Sequence, residues 1–195
     1  MRNSGSLRSL TLISVLCFGA CAAEEPATGD DSTFSGSPVR IVSLVPSATR
    51  TLQALNVTDL LVGRTDYDTM GGIGHLPSVG GGLDPNPEAL LLLDPDLVIR
   101  FDGQADPATP DVLRDLGLPT LTVRLDRIAD VRDMIQRLGS ITGSQERAGI
   151  LVSEMDAALK DVRELVAERP SRRVAYVLGG NPPWVAGPDT FIQEI

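Results

Sequence analysis

The chain has 195 residues, of which 42% are apolar and 22% are charged, and its formal net charge at pH 7 is −9. These proportions are typical of a globular protein, and an acidic chain repels phosphate backbones, so we expect no nucleic-acid partner. The two cysteines, Cys17 and Cys21, both lie near the N-terminus. The body of the chain therefore has neither a disulfide framework nor a cysteine-based metal site.

The N-terminal region has the features of a secreted, membrane-tethered protein. Residues 1–20 contain two arginines followed by an apolar run that is too short to span a bilayer, which is typical of a signal peptide. Residues 21–38 are small, acidic and rich in turn-forming residues, and they predict a flexible tether. Cys21 resembles the lipidated cysteine of bacterial lipoproteins, so we expect a lipid anchor there. An ordinary cleaved signal with an incidental Cys21 is the alternative.

Residues 39–142 predict one complete α/β lobe, because strand patterns alternate with helix patterns. Strands are predicted at 40–45, 60–63, 96–101 and 120–123, and helices at 47–54, 86–93, 111–116 and 128–141. This alternation implies a parallel sheet with right-handed crossovers and helices on both faces. The predicted second helix opens in a typical way, with Asn86 as cap, Pro87 at the first helical position and Glu88 in the first turn.

Residues 143–170 predict a long helix that joins this lobe to another. Apolar residues recur at steps of three and four from Ala148 to Leu165, and Thr142 or Ser144 can cap the start. A helix over 144–169 would be about 39 Å long, and we interpret it as a strut between two lobes. Residues 171–195 contain one strand pattern, at 173–178, and the start of a helix, at 188–195. The predicted fold class is therefore α/β, with two Rossmann-like lobes joined by one long rigid helix and the second lobe truncated in this chain.

Aromatic residues at strand ends indicate where a ligand would bind. Open parallel sheets bind ligands beyond the carboxyl ends of their strands, and Tyr67, Phe101 and Trp184 each close or follow a predicted strand. We expect these three rings to converge on one crevice and stack on a flat, bulky ligand, although each could instead cover the core locally. The single histidine, His75, has no partner histidine, so neither a metal site nor catalytic residues are expected.

Four segments resemble the periplasmic substrate-binding proteins of ABC importers for cobalamin and iron–siderophores. They are Arg40 to Ser47 (RIVSLVPS), Asn86 to Ile99 (NPEALLLLDPDLVI), the predicted strut, and Gly180 to Trp184 (GNPPW). The resemblance covers residues 40–195 and implies two lobes bridged by a rigid helix, with the ligand held between them. It further implies delivery of the ligand, chemically unchanged and without a cofactor, to a permease and ATPase complex in the membrane. The protein would then lie in the cell envelope, secreted across the cytoplasmic membrane and anchored by lipid.

The resemblance also assigns roles to individual positions. It implies ligand contacts from five residues: Pro46, Ser47, Tyr67, Phe101 and Trp184. Glu88 matches a glutamate that docks onto arginines of the permease, although a first-turn acid can also simply complement the helix N-terminus. Gly82 stands where the cobalamin branch has a tryptophan, and Met70 stands where the heme-binding branch has its tyrosine ligand.

The resulting prediction is a lipoprotein that binds cobalamin or a related corrinoid. A ferric-siderophore-binding protein of the same fold is the main alternative, and the loss of an aromatic wall at Gly82 favours it. A tethered α/β hydrolase and a purely structural envelope protein are the remaining alternatives.

Overall fold

A four-stranded parallel sheet forms the centre of the protein. The computed structural model describes residues 36–103, 108–170 and 172–195, so the predicted signal peptide, Cys21 and most of the predicted tether lie outside it. The strands are β1 (Ile41–Ser43), β2 (Leu61–Gly63), β3 (Leu97–Phe101) and β4 (Thr120–Val123). Their order is β2-β1-β3-β4, and all neighbours pair in parallel. The predicted α/β fold with a parallel sheet is confirmed.

Helices cover both faces of this sheet, as the alternating pattern predicts. The helices are α1 (Pro46–Ala54), α2 (Pro87–Leu93), α3 (Thr109–Asp115), α4 (Ile128–Ile141), α5 (Gln145–Val166) and α6 (Phe191–Glu194). Successive side chains of β1 point to opposite faces, so Ile41 packs among α1, α4 and α5 while Val42 packs among α2 and α3. Because both faces are covered, apolar residues predominate along β1, β2 and β3.

The long helix α5 follows α4 as predicted, but it is shorter and its start differs. It ends at Val166, and Ser144 is the N-cap residue without a side-chain capping bond. The hydroxyl of Thr142, the other predicted cap, donates instead to the carbonyl of Leu138 at 2.7 Å. The helices can approach closely at the start of α5 because Gly139 has no side chain, and a Cβ there would overlap the Cβ of Ala148.

The two halves of α5 have different surroundings. The first half packs against α4, and Arg132 on α4 pairs with Asp156 on α5 at 2.6 Å. In the second half, the apolar side chains of Val162, Leu165 and Val166 are exposed. The apolar stripe of this helix is therefore only partly covered by the described residues.

The C-terminal stretch differs from the predicted strand at 173–178. It forms a short antiparallel ladder between β5 (Val177–Gly179) and β6 (Trp184–Val185). Gly179 and Gly180, with φ values of 103° and 94°, allow the chain to reverse between these strands. The carboxylate of Glu194 then ties α6 to the start of α4, accepting from the backbone N–H of Ile128 at 2.8 Å and from Arg127 at 3.0 Å. Within the described ranges, no helix is both long enough and apolar enough to cross a membrane.

Candidate ligand-binding cleft

A cleft of about 410 Å³ opens at the carboxyl ends of β1 and β3. Its lining residues are Leu44, Val45, Pro46, Tyr67, Gly81, Gly82, Leu83, Asp84 and Phe101. The chain leaves β1 toward β2 on one side and later enters β3 on the other, so the cleft lies at the point where the strand order reverses. In open α/β sheets this switch point is the usual ligand site.

Tyr67 projects into solvent at the edge of the cleft because a buried turn fixes its backbone. The neighbouring Asp68 is only 2% exposed, and its carboxylate accepts hydrogen bonds from the backbone N–H and the hydroxyl of Thr65, both at 2.8 Å. With the backbone held in this way, the Tyr67 side chain remains 71% exposed. One edge of its ring lies 3.9 Å from the position that a Cβ on Gly81 would take. Most of the ring is therefore free to contact a ligand.

Phe101 forms the opposite wall, at the end of β3. Its ring lies over the backbone of Gly103, where a Cβ would overlap the ring. The preceding residue, Arg100, is only 7% exposed, and its guanidinium donates to the carbonyl of Phe101 at 3.2 Å. Arg100 is not among the residues that line the cleft. The cleft therefore receives the aromatic ring and not the adjacent positive charge.

The glycine-rich segment between β2 and α2 supplies the floor and rim of the cleft. We expect a flexible loop there from the sequence, but the backbone N–H of Val79 donates to the carbonyl of Arg64 at 2.8 Å, and that of Asp66 donates to Gly80 at 2.9 Å. These bonds place the next residues, 81–84, beside Tyr67. Gly82 then lies against the end of β1, where a Cβ would overlap the carbonyl oxygen of Leu44.

The predicted ligand-contact residues divide between this cleft and a neighbouring groove. Pro46, Tyr67 and Phe101 line the cleft together, whereas Ser47 lines a groove of about 450 Å³ between α1 and α4. Ser47 is also not a helix cap, because α1 begins one residue earlier at Pro46 and its N-cap, Val45, makes no side-chain bond. Trp184 lines neither the cleft nor this groove and is 75% exposed. The predicted convergence of three aromatic rings is thus present for two of them.

A groove beside the cleft is a further concave surface at this edge of the sheet. Its lining residues are Pro46, Ser47, Arg50, Thr51, Ala54, Leu125, Val131, Met134, Ile135 and Leu151. Pro46 separates it from the cleft, since it lines both. The guanidinium Nε of Arg50 contacts the sulfur of Met70 at 3.2 Å, so Met70 is held on the side of α1 and is not a cleft residue.

Glu88 lies where the sequence predicts it, in the exposed first turn of α2. Asn86 caps this helix as expected, and its side chain accepts from the backbone N–H of Ala89 at 3.0 Å. Leu91 and Leu92, which follow the buried Leu90 on the same short helix, are also exposed. Glu88 makes no ion pair with any residue in the described part of the chain.

Sequence reasoning does not identify Leu44, Val45, Gly81, Leu83 and Asp84 as cleft residues. Leu44 and Val45 directly follow β1, so the rule that ligands bind at strand ends could have found them. The other three reach the cleft through backbone pairing between residues 64–66 and 78–80. No residue spacing in the sequence predicts this pairing. His75 is exposed in this loop, and no group of three or more metal-ligating side chains occurs within the ranges that the structure describes.

The fold and the cleft together define a ligand-binding α/β domain, and comparison with known proteins identifies its family. A family model described as "Periplasmic binding protein" matches residues 41–195, and the chain belongs to this family. The expected family is therefore confirmed.

Named relatives indicate how far the likeness extends. An uncharacterized ABC transporter substrate-binding lipoprotein of Bacillus subtilis is 29% identical over 88% of this chain and 57% of its own length. A cobalamin-binding protein of Halobacterium salinarum is 31% identical over 87% of this chain and 47% of its own length. The chain thus spans about half the length of these relatives. Both are binding proteins by name and not enzymes, in line with the expectation that no reaction is catalysed.

A solved structure shows the same fold with a different named ligand. The periplasmic heme-binding protein of Pseudomonas aeruginosa matches with a TM-score of 0.69 and 26% identity, over 77% of this chain and 57% of that protein. The names of these proteins give different ligands, cobalamin and heme, so the ligand of this chain must be argued from its own cleft.

Proposed function

We propose that the protein is the solute-binding component of an ABC importer, and that it captures cobalamin or a related corrinoid and delivers it unchanged to a membrane permease. The observation that carries this proposal is the apolar cleft at the switch point of the sheet, with Tyr67 and Phe101 on its walls. A corrinoid presents a broad, flat macrocycle, and aromatic rings stack on such surfaces. The 31% identity with a cobalamin-binding protein supports the same ligand class.

The dimensions of the cleft suit one side of such a ligand. Its volume of about 410 Å³ falls within the range of about 300 to 1,000 Å³ that is usual for small-molecule sites. The ring of Tyr67 is mostly exposed before binding, so a ligand that covers it removes apolar surface from water. Each aromatic contact of this kind contributes on the order of 1–2 kcal/mol, which corresponds to about 5- to 30-fold in affinity.

A titration with cyanocobalamin tests the proposal. Trp184 is the single tryptophan of the chain, and a bound corrinoid, which absorbs ultraviolet and visible light, quenches its emission. Tyr67→Ala and Phe101→Ala should each weaken binding by about 5- to 30-fold. Tyr176→Ala is the matched control, because Tyr176 is exposed and lies outside the cleft. Absence of both quenching and calorimetric heat at saturating cyanocobalamin would refute the proposal.

A ferric siderophore is the second candidate, and Gly82 is the observation that favours it. At this position the cleft has bare backbone where a corrinoid site could have a third aromatic wall. Competition decides between the two ligands: an excess of a ferric siderophore should leave cyanocobalamin bound if the corrinoid is the true ligand.

We extend the proposal to the membrane side of the protein. Glu88 would dock onto arginines of the permease, since it is exposed, unpaired within the described ranges and placed on a short surface helix. Cys21 would carry a lipid anchor that holds the domain outside the cytoplasmic membrane. Glu88→Gln should reduce uptake without changing ligand affinity, whereas Glu146→Gln, an exposed first-turn acid on α5, should change neither. Equal uptake by the two variants would contradict the docking role.

A further inference from the structure

We infer that Asp84 makes the cleft selective for ligands that carry hydrogen-bond donors and no negative charge at the edge facing it. This inference rests on the proposed function, because it concerns the ligand of the same cleft. Asp84 is the single acidic residue among the lining residues, and none of them is Lys, Arg or His. The described half of the site therefore has a negative charge and no positive charge to balance it.

The position of Asp84 is fixed by its neighbours along the chain. On one side, the carbonyl of Leu83 accepts a hydrogen bond from the hydroxyl of Thr109 at 3.4 Å. On the other side, the buried Pro85 forms a backbone bridge with Gly80. The carbonyl oxygen of Asp84 lies 3.3 Å from the position that a Cβ on Gly80 would take, so Gly80 packs closely against the backbone of Asp84. The backbone of Asp84 is thus held at the rim in the free protein, where the residue is exposed.

The charge of Asp84 is not compensated within the protein. The carboxylate makes no ion pair or side-chain hydrogen bond with the residues of the described ranges. Arg100, near the opposite wall, is buried and bonds to the carbonyl of Phe101 instead. The free carboxylate is stable because Asp84 is exposed to water.

A bound ligand changes this situation by covering the carboxylate. Removing a carboxylate from water is unfavourable unless hydrogen-bond donors or a positive charge replace the lost water. A neutral macrocycle whose edge bears primary amides supplies such donors, and a corrinoid has this periphery. A porphyrin with carboxylate side chains or an anionic ferric siderophore instead brings a like charge toward Asp84.

Two ligands that differ in one charge test the inference. They are cyanocobalamin, which is neutral, and its monocarboxylic derivative, in which one peripheral amide is hydrolysed to a carboxylate. A like-charge contact of this kind near the surface reduces affinity by about fivefold. Wild-type protein should therefore prefer cyanocobalamin by about fivefold, Asp84→Asn should show a preference below about twofold, and added salt should reduce the wild-type preference. Asp115→Asn, which removes one exposed charge at the end of α3, should keep the wild-type ratio.

The outcomes separate the inference from the function on which it rests. If wild-type protein and Asp84→Asn bind cyanocobalamin but show the same preference, Asp84 does not select the ligand and the inference is overturned alone. If wild-type protein binds neither corrinoid, the proposed function is overturned and the inference with it. Circular dichroism of Asp84→Asn should match that of the wild type, because the exposed carboxylate makes no contact on which folding depends.

Discussion

Replacing Gly82 with alanine should destabilise the protein because the cleft loop lies directly on backbone there. A Cβ at Gly82 would overlap the carbonyl oxygen of Leu44, and Leu44 is itself fixed by its N–H bond to the carbonyl of Ile99 at 2.8 Å. At Gly81, a Cβ would find its nearest atoms at 3.8 and 3.9 Å, which is ordinary contact. Overpacking typically costs about 1–3 kcal/mol, whereas Gly→Ala at an unstrained site stabilises by about 0.4–1 kcal/mol through the unfolded state. We expect these opposite effects from adjacent positions.

Urea denaturation followed by circular dichroism measures both variants. With a denaturant dependence of about 2 kcal/mol per M, a loss of about 2 kcal/mol moves the midpoint of Gly82→Ala down by about 1 M. The midpoint of Gly81→Ala should stay or rise slightly. Gly82→Ala should also bind cyanocobalamin more weakly, because the displaced loop carries Leu83 and Asp84. Equal midpoints for the two variants would show that the loop can shift without loss of stability. The close contact at Gly82 would then not determine the shape of the cleft.

Two further predictions concern the core and the C-terminal contact. Leu52→Ala, at a fully buried position on α1, should lower the free energy of unfolding by about 2–5 kcal/mol, whereas Leu92→Ala, at a site that is 87% exposed, should change it by less than about 0.5 kcal/mol; similar urea midpoints would contradict this. The N–H of Ile128 and then the guanidinium of Arg127 lower the pKa of Glu194, so its contact with α4 is present at neutral pH and is lost as the pH falls through that lowered pKa. The amide resonance of Ile128 should report this loss with a midpoint below the usual pKa of a glutamate, and the transition should persist in Glu168→Gln but disappear in Glu194→Gln.

The α/β lobe could be predicted from the sequence because strands that are buried on both faces are rich in apolar residues. The runs at 41–45 and 97–101 are apolar except for Ser43 and Arg100, since parallel strands meet helices on either side. The Asn86-Pro87-Glu88 start of α2 is similarly local, because a cap, a proline and a first-turn acid act within one turn.

The rest of the site depends on contacts between distant residues. Residues 78–80 pair with 64–66 across a long loop, and this pairing helps to bring Asp84 into the same cleft as Tyr67. Ser47 lies in the segment after β1, yet it lines the neighbouring groove and not the cleft, because it already belongs to α1, which begins at Pro46. A strand-end rule gives the correct edge of the sheet, but the orientation of each side chain depends on the helix that follows.

The structure of the C-terminal stretch also depends on a strand pairing that the sequence pattern does not specify. A strand pattern at 173–178 does not specify its partner, and the structure pairs Val177 with Val185 in an antiparallel ladder instead of adding to a parallel sheet. The position of Trp184 follows from that ladder. That Trp184 does not line the cleft could not be deduced from its place after a predicted strand.

Amide hydrogen exchange with and without saturating cyanocobalamin tests most directly whether the cleft is the ligand site. We predict slower exchange at residues 81–84 and around Tyr67 on binding, with no change in the groove between α1 and α4. Protection confined to Arg50, Met134 and their neighbours in that groove would contradict the account, as would exchange that is identical with and without the corrinoid.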